Sequence, residues 1–470
     1  MRHIVLLSCA AILSAQPTFA ENATPWEERT EAIGSIKKMP RGFLGRAELD
    51  RLVKTGEDLF AAKFTTQDGV GRPKATAAIL PTKARRISQN LFARTSGSDS
   101  GSCAACHNEP LIGGAGDFVT NVFVSEGFTN SDFDSTNPQF SNERGTNHLF
   151  GAGLIELLAR EMSSELIEIR AQALRKAKNQ NESIRQKLAS KGISFGFITA
   201  HSDGLIDLTE LDGIDSDLVI RPFSQKGVMT SLRQFTVNAA NHHHGMQATE
   251  RFGTRWTGEL DFDEDGYKFE LSHADISALV AWQATLRPPV KVEPENTLWK
   301  EAALKGETKF DDLGCTSCHV PALPLTSLQF DDPGIFDVAG TLQSFQVEAP
   351  ATYDLAMLEW AQSLPRNEKG QVLVPLFGDL KRHVMTDNQV DGFGNELMSQ
   401  RFVDRNIFIT AELWGLGSTA PYGHRNDFAD LHSVIDAHGG SARKSRDAYL
   451  AASESEKSQL IAFLRTLEIK

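Results

Sequence analysis

Two short stretches constrain this chain more than any other feature: "GSCAACHNEP" at residues 101–110 and "GCTSCHV" at 314–320. Each holds two cysteines two residues apart with a histidine directly after: Cys103, Cys106, His107 and Cys315, Cys318, His319. In this pattern each thiol can add to one vinyl group of a haem, and the adjacent histidine is left beneath the porphyrin to ligate iron. Other chemistries use paired cysteines too. A zinc ribbon brings its pairs about 15–20 residues apart, whereas residues 107–314 separate these two. A thioredoxin-like dithiol needs no following histidine, and ordinary disulfides rarely form two tight C-x-x-C loops. With Cys9 in the leader, every other cysteine lies in one of the two motifs, and the pattern points to two covalently bound haem c groups.

The compartment agrees with that chemistry. Residues 1–20, MRHIVLLSCAAILSAQPTFA, place Arg2 ahead of an apolar run from Ile4 to Leu13 and end on Thr18-Phe19-Ala20, a secretory signal cut after Ala20. Leu6-Leu7-Ser8-Cys9 resembles a lipoprotein box, but too few residues precede it for normal export. No later stretch is apolar enough to span a bilayer, so the expected product is exported, periplasmic and without a membrane span. Loss of Arg2 takes the formal net charge from −13 to −14, which disfavours nucleic acid and anionic membranes as partners.

The chain repeats itself around the motifs. "TGEDLF" (Thr55 to Phe60) precedes the first and "KGETKF" (Lys305 to Phe310) the second, sharing G-E-x-x-F as the expected first helix of a small haem domain. Gly306 stands nine residues before Cys315 and Gly56 stands 47 before Cys103, so the first half carries about 38 extra residues, including the loop-like "DGVGRPKATAAILPT". A second addition, residues 149–192, reads as one or two long helices with Ile155, Leu158, Met162, Leu166 and Ile169 on one face, a break near Ser163 or Ser164 and an end at Gly192. A short strand is expected at Leu218 to Ile220. Near the C-terminus Ser453-x-x-Glu456 forms a capping box ahead of Leu460, Phe463, Leu464 and Leu467. The expected fold is mainly α with few strands: two cytochrome c-like haem domains, residues 21–288 and 289–470, with loop and helical insertions in the N-terminal half.

These segments, with "APYGHRNDFADLHSVIDAHGG" (420–440) and the final "IAFLRTLE", resemble the bacterial di-haem cytochrome c peroxidase superfamily. "CAACHNEPLIGGAGDFVTNVFV", "LFGAGLIELLAREM", "RPFSQKGVMTSLRQFTVNAANHHHGMQATERFG" and "VPLFGDLKRHVM" resemble its branch of di-haem oxidoreductases, described as peroxidase-like or thiol oxidoreductase-like. The resemblance implies that His107 and His319 are the proximal iron ligands. In the family's peroxidases a methionine fourteen residues beyond the histidine of a Pro-Tyr-x-His segment ligates the C-terminal haem from the far side. Counting from His424 gives His438, so a bis-histidine iron of low potential is expected there. A surface histidine at a helix end is the plainer account of His438, and His383 and Met385 are its rivals as ligand.

The resemblance also places a distal pocket around "NHHHGMQATERFG", with His242, His243, His244, Gln247 and Glu250 as candidates for a ligand or for moving peroxide's proton. Three consecutive histidines cannot all face one iron. The Trp-Asp-Gly of the peroxidases is missing, and Trp256 is the nearest tryptophan. Between the motifs, Asp261, Asp263 and Asp265 followed by Gly266 match the opening of a calcium loop, although its twelfth position is Ser272 rather than Glu. A solvated acidic turn is the alternative to calcium.

The expected function is therefore a peroxidase-like oxidoreductase. Electrons from a small redox protein or quinol-linked donor would pass from the bis-histidine haem to a reactive haem that reduces peroxide or a related oxidant. The alternatives are a di-haem electron carrier with both irons closed, and an oxidase of an organic or protein substrate. The large insertions favour more than a bare carrier.

Overall fold

The structure, a computed structural model, describes residue 36 and residues 38–71, 101–124, 141–396 and 400–470. The leader at 1–20, Cys9 and most of the stretch inserted before Cys103 lie outside these residues. The packing is carried by helices α1 (Arg46–Ala61), α2 (Ala152–Gln180), α3 (Leu232–Ala239), α4 (His273–Thr285), α5 (Thr297–Asp312), α6 (Arg443–Ala451) and α7 (Glu454–Leu464). Among the described residues helix outweighs strand, and the architecture is a mixed, mainly helical one. Strands are more numerous than expected, but all are short and lie in two- or three-stranded sheets.

The sequence repeat is a structural repeat. α1 crosses α4 and α5 crosses α7 at the two G-E-x-x-F glycines. A Cβ on Gly56 would lie 1.9 Å from the Ala278 carbonyl oxygen, and one on Gly306 would lie 1.9 Å from that of Gln459. Only glycine lets the helix backbones approach this closely. Four residues on, Phe60 packs on Trp282 with ring centroids 4.2 Å apart, and Phe310 packs on Phe463 at 5.5 Å. α4 is buried from Ala274 to Ala284, as a helix apolar on all sides must be. The Ser453–Glu456 capping box forms as expected at the start of α7, where Ser453 Oγ accepts from the Glu456 N–H. Leu460, Phe463, Leu464 and Leu467 enter the core beneath it, Leu467 from a short strand beyond the helix end.

The second addition departs from expectation. α2 is one unbroken helix: Ser163 is buried inside it, donating to the Ala159 carbonyl at 2.6 Å and accepting from the Ile220 N–H at 2.8 Å. A serine that bonds back to the preceding turn satisfies itself without ending the helix. The helix stops at Gln180, with Asn181 in the left-handed region, and residues 184–190 pair antiparallel with 193–200. Lys191 (φ 50°) and Gly192 (φ 87°) form the hairpin turn, so Gly192 reverses strands rather than ending a helix. Leu218 to Ile220 is not a strand, because Leu218 adopts φ 63°.

The C-terminal half carries an addition as well. Residues 323–374 run out from the second motif as short strands and pack on the core of the first half, burying Leu323, Leu325, Phe330 and Tyr353 there. Strand 329–332 pairs with 351–354, which in turn pairs parallel with Gly42–Phe43. A smaller core around Phe310, Tyr449 and Phe463 underlies the second motif. Behind α3 the seam is charged: buried Arg233 holds Asp332 at 2.8 Å and Glu250 at 2.9 Å, while Arg160 pairs with Glu156.

Candidate functional site

Each motif folds as a single 3-10 turn after its G-E-x-x-F helix, at Cys103–Ala105 and at Cys315–Ser317. The His107 N–H donates to the Cys103 carbonyl at 3.1 Å, and that of His319 to Cys315 at 3.0 Å. This closes the turn and sets both sulfurs and the imidazole on one side. His107 Nδ1 lies 3.2 Å from the Gly114 carbonyl oxygen, and His319 Nδ1 lies 3.2 Å from that of Phe377. A ring nitrogen facing a carbonyl carries the proton, which leaves Nε2 as the ligating atom. The two imidazoles also rest on corresponding rings, Phe60 at 5.8 Å and Phe310 at 6.3 Å.

The four cysteines are not joined as disulfides. Burial pushes the Cys103 thiol up to about 12, with Cys106 adding to the effect, and pushes Cys315 up to about 11. A dithiol poised for exchange needs the opposite shift. Both motifs open onto one cavity of about 1110 Å³ with mainly apolar walls. Thiols outside any disulfide, a neutral imidazole and an apolar chamber are what a covalent haem requires on each side, and the residues present fit two such groups.

Beyond the second motif, His438 lines the same cavity, its Nδ1 2.7 Å from the Val434 carbonyl oxygen. Burial lowers its pKa, and burial followed by the nearness of His438 lowers His319 to about 4. The two rings are thus neutral, oriented alike and within electrostatic reach of each other. His383 and Met385 also line the cavity, but His383 Nε2 sits 2.8 Å from Asp379 Oδ2. Burial pulls His383 down, yet Asp379 and Cys318 outweigh it and carry it up to about 9. The Nε2 that would face an iron is thus engaged by Asp379.

On the first side, residues Ala240–His244 form a π turn, a deformation frequent at functional sites. It brings His242, His243 and His244 to the cavity wall, with His244 Nε2 3.6 Å from Cys103 Sγ. Burial, then His244 and His107, lower His243 to about 3. Gln247 and Glu250 lie elsewhere. The Gln247 N–H donates to Glu270 Oε2 at 2.6 Å, and Glu250 is buried against Arg233. Trp256 is 43 % exposed and off the cavity wall.

The acidic loop closes on itself. Oxygens of Asp261, Asp263 and Asp265 come within 4.8 Å of one another, and the N–H groups of Asp265 and Gly266 donate to Asp261. Ser272, at the twelfth position, instead caps α4. A fourth carboxylate, Glu270, stands beside the three: burial raises its pKa, and Asp263, Asp265 and Asp261 raise it further. Two cavity residues also escaped sequence reasoning: His148, whose Nε2 lies 3.0 Å from the Trp414 carbonyl oxygen, and Trp414 itself. Neither lies in a motif, and only the fold brings them to the wall, where His424 of the Pro-Tyr-x-His segment joins them.

No family model and no curated protein matches the chain. Among solved structures it is similar to hydrazine synthase of Kuenenia stuttgartiensis, at 12% identity over 95% of this chain and 100% of that one, with a TM-score of 0.37. It is also similar to a MauG-like protein associated with microbial copper homeostasis, at 18% identity over 57% of this chain and 77% of the other, with a TM-score of 0.28. Among the described residues no helix is long and apolar enough to cross a membrane.

Proposed function

We propose that the protein is an exported, periplasmic di-haem c oxidoreductase of the peroxidase type. The observation that carries this reading is the single cavity faced by both C-x-x-C-H turns, each histidine tied through Nδ1 to a backbone carbonyl. Cys103 and Cys106 would hold one haem over His107; Cys315 and Cys318 would hold the other between His319 and His438. Haem supplies one-electron chemistry at iron and, where the iron is open, a place for peroxide to bind.

The remaining work falls to the chain. Apolar walls exclude water, and a neutral imidazole of the turn at 240–244 takes the proton from peroxide's inner oxygen and returns it to the outer one. Reduction of peroxide to two waters would draw two electrons from a small redox protein or a quinol-linked donor and two protons from solvent. With His319 and His438 as its ligands, the second haem would sit at low potential, suited to electron entry. Asp261, Asp263 and Asp265, with Glu270 within reach of their charge, would hold calcium, since carboxylates this close repel one another until a divalent cation joins them.

Low-temperature electron paramagnetic resonance of the oxidised protein, repeated after adding one electron per molecule, tests the proposal. A high-spin ferric signal in either state, accompanied by peroxide turnover, is expected. Two low-spin signals in both states would favour the electron carrier, with a histidine of the π turn closing the first iron.

A further inference from the structure

His424 is an orphan in the wall of the cavity. It is 6 % exposed, and neither ring nitrogen has a hydrogen-bond partner in the protein. A buried imidazole left so is costly unless something else meets it. Phe408 at 4.7 Å and Phe393 at 5.9 Å, both cavity residues, flank its ring. Its own carbonyl accepts from the Gly145 N–H at 3.0 Å, and Asn426 Nδ2 donates to the Gly116 carbonyl at 3.0 Å. The loop is thereby pinned to the segment that follows the first motif, while Phe393 touches both the His424 ring and that of His438.

The charges acting on this ring are cationic. Burial first, then Arg144, Lys226 and Arg425, lower His424 to about 3 and keep it neutral. Arg425 is balanced by Glu143 at 2.7 Å and Arg144 by Glu396, but the Lys226 ammonium donates to the carbonyls of Asp404, Arg405 and Ile407 at 2.7–2.8 Å. Lys226 also lies 4.0 Å over the Phe408 ring. A neutral N–H donor in a positive field, at an apolar wall, suits an anion that accepts a directed hydrogen bond.

We propose that the His424 ring, in the field of the Lys226 ammonium, forms an anion subsite on the wall of the shared cavity and that it takes a carboxylate. The proposal rests on the di-haem reading above. Two sources carry that chemistry: a propionate of one of the haems, and a free small carboxylate that enters the cavity.

The test compares the haem-loaded wild type with His424→Leu, which has no donor, and His424→Gln, which keeps one; His424→Phe replaces the leucine variant if that does not fold. Haem is counted first, midpoint potentials are then titrated against pH, and formate is titrated while following the Soret band. A propionate held by His424 predicts that leucine, and not glutamine, shifts one haem's potential and makes it more dependent on pH, because a carboxylate deprived of its donor titrates higher. A free carboxylate predicts unchanged potentials and formate binding weakened about tenfold or more by leucine alone. Identical potentials and formate affinities in all three proteins would overturn the subsite with the di-haem reading intact. Loss of a low-spin signal in the leucine variant would make His424 an iron ligand and overturn it likewise. Absence of covalent haem in the wild type would overturn both.

Discussion

His438 and His383 are both histidines of the cavity wall, and their surroundings divide them. The Val434 carbonyl faces Nδ1 of one, and Asp379 engages Nε2 of the other. Thioether ligation raises a haem potential relative to imidazole, so His438→Met should raise one of the two midpoint potentials in a redox titration and leave the other in place. If neither moves, His438 does not ligate iron. The acidic loop allows an equally local check: elemental analysis should find one calcium per chain in the wild type and none in Asp263→Ala. The two C-x-x-C-H turns were legible in the sequence because the pattern is local and recurs. Glu270 was not, because it fits no position of the calcium-loop pattern and reaches Asp263 only through the fold. His424 was visible only as a counting mark for His438, since an imidazole without partners is a fact of packing.

At the scale of helices, the repeat written in the sequence is a repeat of close crossings. A methyl group on Gly56 or Gly306 would meet a backbone carbonyl that cannot swing away as a side chain could. Overpacking of this kind costs about 1–3 kcal/mol or more. Gly306→Ala and Gly56→Ala should each lower the melting temperature by several degrees in calorimetry, and the second motif's spectrum should suffer more in the former. An unchanged melting temperature would mean that the helix pairs are looser than described. The capping box of α7 was readable because its signal is local. The tail of α2 was not: residues 184–190, "IRQKLAS", follow a helix without a proline or glycine to separate them, and pairing with 193–200 decides their state. Tertiary pairing overrides a weak local preference there.

The whole molecule is joined by chain that crosses between halves. Residues 323–374 belong in sequence to the second half and in packing to the first core, an exchange that no periodicity announces. It brings Asp332 and Asp337 against Glu156 and Arg160 of α2, Arg233 of α3, and Glu250, so four carboxyls share two guanidiniums in a buried seam. Asp337 accepts from the Gly334 N–H at 2.7 Å and from Ser231. Burial, then Glu156, push it up to about 7 against the pull of Arg160, Ser231 and Arg233. Between the unfolded value near 4 and about 7 the folded protein therefore holds a proton that the unfolded chain has released. Stability from this group falls as pH rises through that window, by at most about 1.4 kcal/mol per pH unit, and is level above it. Asp337→Asn removes the titration. Its melting temperature, compared with the wild type from pH 4 to 8, should gain steadily up to about pH 7 and then run parallel. Curves parallel throughout would mean that Asp337 is ionised across the range and that another carboxyl in the seam carries the proton.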